Sequence, residues 1–141
     1  MNIKQAATAK EQEDAYSVRS IVFIEEQRVP LELEMDEYDN KAIHLVGYED
    51  NEPIAASRVR FTDSYGKLER ICVVQHQRGK SHGSQIIRAM EDTIKQKGFQ
   101  TATLNAQIRA VSLYKRLGYE VVSDEFMDAG IPHVTMTKSL A

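Results

Sequence analysis

The stretch that decides the fold runs Leu68-Glu69-Arg70-Ile71-Cys72-Val73-Val74 and, after Gln75-His76-Gln77, Arg78-Gly79-Lys80-Ser81-His82-Gly83-Ser84. The first part has the alternating, β-branched character of a strand. From Ser84 to Lys97, Ile86, Ile87, Met90 and Ile94 fall on one helical face and Arg88, Glu91, Asp92 and Lys95 on the other, with Gly98 where a C-cap belongs. Glycines and cations at such a strand-to-helix joint suit an anion: the first N–H groups of a helix are unpaired and sit at the positive end of its dipole. Gly79 and Gly83 let the backbone come close to a ligand.

Three readings compete for this joint. Gly79-Lys80-Ser81 suggests a nucleotide-binding P-loop, but the first glycine of that motif would stand where Val74 is. The preceding chain also reads as a β-meander, whereas a P-loop follows a strand of a parallel sheet. An ordinary capped turn and a phosphate seat both remain open on the hexapeptide alone.

Outward from the joint, Ile43 to Tyr48 and Ile54 to Phe61 read as a hairpin turned at Asp50-Asn51-Glu52-Pro53, and Ser64-Tyr65-Gly66 leads into Leu68 to Val74. Ile3 to Ala7 reads as a first strand and Lys10 to Arg28 as a helix, apolar at Ala15, Val18, Ile21, Val22 and Phe23 and stopped by Pro30. Leu31 to Lys41, rich in Glu32, Glu34, Asp36, Glu37 and Asp39, reads as an irregular surface loop. After the long helix come a strand Thr101 to Asn105, a helix Ile108 to Leu117 ended by Gly118, and strands Tyr119 to Val122 and Val134 to Thr137. The order β-α-β-β-β-α-β-α-β-β predicts an α/β fold of the α+β type, a mixed sheet with helices on its faces.

With 141 residues the chain is sized for one domain, residues 1–141, able to bury a core without disulfides. A net charge of −3 argues against a general nucleic-acid binder, although Arg70, Arg78, Lys80, His82 and Arg88 gather positive charge near the joint. A single cysteine, a polar N-terminus and the lack of a long apolar run predict a cytoplasmic location with no membrane insertion. Four histidines without zinc-type spacing predict no metal.

The surroundings of the joint resemble the GNAT superfamily of acetyl-CoA-dependent N-acetyltransferases. The family's pyrophosphate loop, Gln/Arg-x-x-Gly-x-Gly/Ala between a fourth strand and a long helix, is matched by Arg78-x-x-Ser81-x-Gly83. Ser81 departs from the usual glycine: it keeps an N–H and adds a hydroxyl, but narrows the backbone conformations open to the loop. Ser112-Leu113-Tyr114-Lys115-Arg116-Leu117-Gly118-Tyr119 is similar to the family's later Tyr-bearing helix. Val18-Arg19, Val22-Phe23, Glu26-Gln27, Val29-Pro30 and Gly130-Ile131-Pro132-His133 resemble the bacterial ElaA- and YjcF-like members in particular.

The resemblance implies a GNAT fold: a twisted, mostly antiparallel sheet of six to seven strands, splayed between strands 4 and 5, with about four helices. It implies an acyltransferase that moves an acetyl group from acetyl-CoA to a primary amine of a small molecule or peptide, by direct attack in a ternary complex. A non-catalytic acetyl-CoA-binding module is the rival. The implied cofactor contacts are backbone groups of Ile71, Cys72 and Val73, the loop Arg78, Gly79, Lys80, Ser81, His82, Gly83 and Ser84, and Asn105 and Tyr114, with the Val73 N–H as oxyanion donor. Tyr114 takes the place of the family's thiolate partner, and Cys72, among apolar strand neighbours, reads more simply as a core residue than as a nucleophile.

The amine poses the harder chemical problem. With a pKa near 10.4 an amine is only about 10^-3.4 neutral at pH 7, a handicap of roughly 4.6 kcal/mol that a general base offsets. Glu69 is the first candidate base, followed by Glu26, His133 and a chain of waters. Arg19, Phe23 and Glu26, with the acidic stretch Glu32 to Asp39, are expected to border the acceptor pocket. A homodimer is also an expectation drawn from the family.

Overall fold

A computed structural model describes all residues, Met1–Ala141. In chain order it contains β1 (Asn2–Gln5), α1 (Ala9–Arg19), α2 (Leu31–Glu34), β2 (Ile43–Glu49), β3 (Glu52–Phe61), β4 (Gly66–Val73), α3 (His82–Gln96), β5 (Thr101–Gln107), α4 (Val111–Arg116), β6 (Glu120–Val121), β7 (Phe126–Asp128) and β8 (Ile131–Ser139). The strands form one sheet in the order β1-β2-β3-β4-β5-β8-β6, with β7 also on β8. Only β4 and β5 run parallel, and they pair over just Gly66↔Ala102 and Lys67↔Thr103 before separating. This is the mixed, splayed sheet that the resemblance implies.

Eight strands are present rather than six or seven. The additional one is β7, which forms a hairpin with β8 through Ala129 (φ 52) and Gly130 (φ 77). Two successive positive φ angles make the tight reversal that suits a twisted hairpin, and alanine is not a residue that announces it. The first hairpin turns the same way, at Asp50 (φ 50) and Asn51 (φ 66), where the residue types do announce it.

Each helix covers the sheet where its apolar stripe demands. On one face α3 sets Ile87, Met90 and Ile94 against Leu68, Leu104, Ala106 and Met136. On the other, α1 and the turn after it set Ala15, Val18 and Val22 against Val46, Ile54, Ala56 and Cys72. Thr8 caps α1 by accepting from the Glu11 N–H at 3.1 Å, and Glu11 returns the bond to the Thr8 N–H at 3.1 Å. The expected Lys10–Arg28 helix changes pitch midway: Ser20–Glu26 is π-helical, closed by Gln27 N–H to the Val22 carbonyl at 3.0 Å. Such widened turns recur at functional sites. No helix is long and apolar enough to cross a membrane.

The acidic stretch Leu31 to Lys41 is not the solvated loop its composition suggests. It forms α2 and a 3-10 turn, Glu37–Asn40, and it buries Glu34 (2% exposed) and Asp39 (6%). Two fully buried arginines from α1 and β3 are the reason. Arg19 donates to Glu34 at 2.8 Å and to Asp39 at 2.6 Å, while Arg58 donates to Asp36 at 2.6 Å and to Asp39 at 2.9 Å. Buried charges need partners, and these partners pull the loop inward.

Candidate active site

The site is built by the separation of β4 from β5. Opposite Ala56–Arg58 the β3–β4 ladder carries a bulge, and Arg70 within it takes a left-handed φ of 57. A bulge bends its strand and re-aims the residues on its far side. Past the bulge the Val74 N–H donates to the Ile54 carbonyl at 2.9 Å. Backbone groups alternate along a strand, so the Ile71 and Val73 N–H and C=O groups face away from β3, toward the gap. The Val73 carbonyl accepts from Arg78 Nε at 2.9 Å, as that orientation requires.

A cleft of about 960 Å³ opens there, within the range of small-molecule sites. Its floor is Ile71, Cys72, Val73 and Arg78. One wall is the turn from Val22 through Glu26–Pro30 to Leu33, and the other is Gln107 and Arg109, with the β7–β8 tip contributing Ala129 and Ile131.

The phosphate-type loop comes next in the chain. A 3-10 turn, Gln75–Gln77, leads through Gly79 (φ 81) and Ser81 (φ 64, ψ 18) into α3. The first α-helical bond is Gln85 N–H to Ser81 O at 3.2 Å, so the His82, Gly83 and Ser84 amides precede any intrahelical acceptor. No side chain caps them. A Cβ on Gly83 would meet nothing within 4 Å, and the φ there is not left-handed. Glycine inside a helix costs about 1 kcal/mol relative to alanine, so neither packing nor backbone geometry accounts for it. Ser81 occupies the left-handed conformation that its glycine counterpart would adopt without strain.

Of the charges expected around this loop, Arg70 and Arg78 are engaged elsewhere, while Lys80 stays within it. Arg70 turns to the Glu34 carbonyl and Asp36, and Arg78 forms a two-pronged pair with Glu26 at 2.7 and 2.8 Å. Lys80 reaches Gln77 at 3.2 Å. His82 lies on the packed face of α3, 8% exposed, with neither ring nitrogen hydrogen-bonded.

The candidate catalytic residues are dispersed. Glu69 accepts from Arg58 at 3.1 Å and Arg60 at 3.0 Å with Lys67 at 3.4 Å, and it does not line the cleft. Burial pushes its carboxyl up, but the Arg60 bond and the surrounding cations outweigh this and hold it below the usual range. Glu26 does line the cleft, with its carboxyl lowered by the Arg78 bond. His133 sits opposite Gln107 in the β5–β8 register, stacked on Phe126. Its Nδ1 is 2.7 Å from the Ile131 carbonyl. A carbonyl only accepts, so Nδ1–H donates to it; His133 is 9% exposed and does not line the cleft.

Tyr114 is half-buried against the α3-side core, edge-on to Tyr119 at 6.0 Å. Burial raises its phenol above the ordinary value, which keeps it a donor. Cys72, 5% exposed, has its thiol pushed up to about 12 by burial and remains protonated. Asn105 is bound to Thr135 at 2.9 Å on the exposed sheet face rather than in the cleft. Arg19 is fully buried beneath the site, and Phe23 packs beside the α1-side core. Leu33 and Ile131, which fall within stretches quoted from the sequence, line the cleft, and so do Gln107, Arg28 and Arg109, which sequence reasoning does not single out. The extension of β5 two residues past Asn105 is the signal for Gln107; the others carry no local signal.

Comparison with known proteins places this arrangement. The uncharacterized N-acetyltransferase YjcF of Bacillus subtilis is 46% identical over 138 residues, covering 95% of this chain and 99% of YjcF. Escherichia coli ElaA superposes with a TM-score of 0.84 at 21% identity over 97% of each chain. A GNAT family acetyltransferase from Elizabethkingia anophelis, solved with acetyl-CoA bound, superposes with a TM-score of 0.79 at 13% identity over 99% of this chain and 97% of that one. The family model for the acetyltransferase (GNAT) domain matches residues 7–140, and with the likeness to YjcF over nearly the whole length of both chains it shows that this chain belongs to the GNAT acetyltransferases.

Proposed function

We propose that the enzyme transfers an acetyl group from acetyl-CoA to a primary amine, by direct attack while both are held in the cleft, and that it works in the cytoplasm. The observation that carries the choice of donor is the unpaired amide cluster at His82–Ser84 together with a helical Gly83 that the fold itself does not need. Amides at a helix start stabilise phosphate oxygens, and a missing Cβ lets the backbone approach them. The acetyl-CoA bound to the Elizabethkingia protein of the same fold supports this reading.

Acetyl-CoA supplies the activated thioester. The open edge of β4 offers the Ile71 and Val73 groups as strand-like partners for an extended arm, and the Val73 N–H as a donor for the negative charge that develops on the acyl oxygen. Tyr114, kept protonated by burial, serves as donor to the departing sulfur. Cys72 takes no covalent part, since a thiol pushed up to about 12 supplies almost no thiolate. For proton removal from the amine His133 is the candidate not committed to a cation, although it is only 9% exposed and, unlike Glu26, does not line the cleft. His133 lies opposite Gln107 with Nδ1 engaged by the Ile131 carbonyl, whereas both carboxylates are bound to arginines that depress their basicity.

Gly83→Ala tests the donor. The variant is expected to be as stable in urea or slightly more so, by up to about 1 kcal/mol, and to lose acetyl-CoA affinity in calorimetry. An unchanged affinity would remove the coenzyme from this seat. Binding of acetyl-CoA without thiol release on any of a broad amine panel would establish the non-catalytic module instead.

A further inference from the structure

We infer that the acceptor is an amine that also carries a carboxylate and an apolar segment, and that Arg28 and Arg109 recognise the carboxylate. The inference rests on the acetyl-transfer reading and adds the substrate class. Four charged side chains line the cleft: Arg28, Arg78, Arg109 and Glu26. Arg78 and Glu26 neutralise each other through two bonds of 2.7 and 2.8 Å. Arg19, Arg58, Arg60 and Arg70 are likewise held by carboxylates, and the acidic residues expected to attract an amine, Glu34, Asp36 and Asp39, are consumed by them. Arg28 and Arg109 are exposed and have no such partner, so the cleft keeps two uncompensated positive charges.

A polycation would be repelled by that field. An amine with its own anion would be attracted, because a guanidinium fork matches a carboxylate. The same field lowers the pKa of the bound ammonium and raises the fraction of neutral nucleophile. Arg28 belongs to the wall that includes Leu33, and Arg109 to the wall with Gln107; neither is part of the His82–Ser84 amide cluster proposed for phosphate. Leu33 on α2 and Ile131 at the β7–β8 tip expose apolar surface at the cleft, which suits a hydrophobic side chain on the acceptor.

The test is a matched panel of phenylalanine, phenylalaninamide and phenethylamine, with the leucine and methionine equivalents, monitored by thiol release from acetyl-CoA. The amino acids are expected to exceed their amides and simple amines in kcat/KM by about tenfold or more, the worth of a charge-assisted hydrogen bond. In the double variant Arg28→Gln, Arg109→Gln that advantage falls to about twofold or less, with KM for acetyl-CoA unchanged. Equal or faster turnover of the uncharged amines, or no turnover of the amino acids while other amines react, overturns the inference and leaves acetyl transfer standing. A raised KM for acetyl-CoA in the double variant also overturns it, by assigning the arginines to the coenzyme's phosphates. Absence of acetyl-CoA binding in calorimetry instead defeats the underlying reading.

Discussion

Asp39→Asn probes the buried charge cluster under the cleft. The Asp39 carboxylate accepts from Arg19 at 2.6 Å, Arg58 at 2.9 Å and the Asp36 N–H at 3.1 Å while only 6% exposed. Burial raises its pKa, yet the Arg19 bond, the Asp36 amide and Arg58 outweigh burial and bring it from 3.8 to about 2. A folded pKa below the unfolded one contributes stability that is fully present above the unfolded value and is lost as pH falls through the folded one. Lowering from 3.8 to about 2 is worth about 2 kcal/mol at pH 7, about half of that at pH 3 and roughly 0.4 kcal/mol at pH 2. Asparagine keeps the shape but leaves two buried guanidinium groups short of charge, and breaking such a network costs about 3–5 kcal/mol. Urea melts of both proteins at pH 7, 4 and 3 measure the gap between them, which is expected to be largest at pH 7 and to narrow at pH 3. A gap under about 1 kcal/mol at pH 7, or one that widens on acidification, would refute the assignment of Asp39 as the ionised hub.

The same geometry sets other outcomes. Tyr114→Phe is expected to lower kcat about tenfold or more with little change in acetyl-CoA affinity, and an unchanged rate removes the phenol from the chemistry. Ser81→Gly relieves a left-handed serine, a gain of about 1–2 kcal/mol offset by about 0.4–1 kcal/mol of glycine entropy, so thermal melts should show a small net stabilisation. His82→Leu replaces a buried imidazole that has no hydrogen-bond partner and is expected to stabilise by about 1 kcal/mol in urea; a loss of that size would mean the ring is satisfied in solution.

The local features of the chain were legible because they are encoded within a few residues. The Ile86, Ile87, Met90, Ile94 stripe identifies α3 by spacing alone, and Asp50-Asn51 identifies its hairpin because those residues tolerate positive φ. Ala129 hid the second hairpin by being an unusual residue in the same conformation. The strand, loop and helix from Leu68 to Lys97 also pointed to the family in advance.

Contacts between distant segments decided the rest. Glu34, Asp36 and Asp39 look in sequence like a solvated acidic run, and nothing nearby reveals that Arg19 and Arg58, 15 to 22 positions away, draw them inside. Glu69 has the composition of a base, but three cations from β3 and β4 surround it. Periodicity and turn chemistry act over one or two turns of chain, so the sequence by itself determined the family and most of the order of elements, α2 and β7 excepted. The sign of the charge left in the cleft depends on which carboxylate each arginine meets, and only the folded chain brings those partners together.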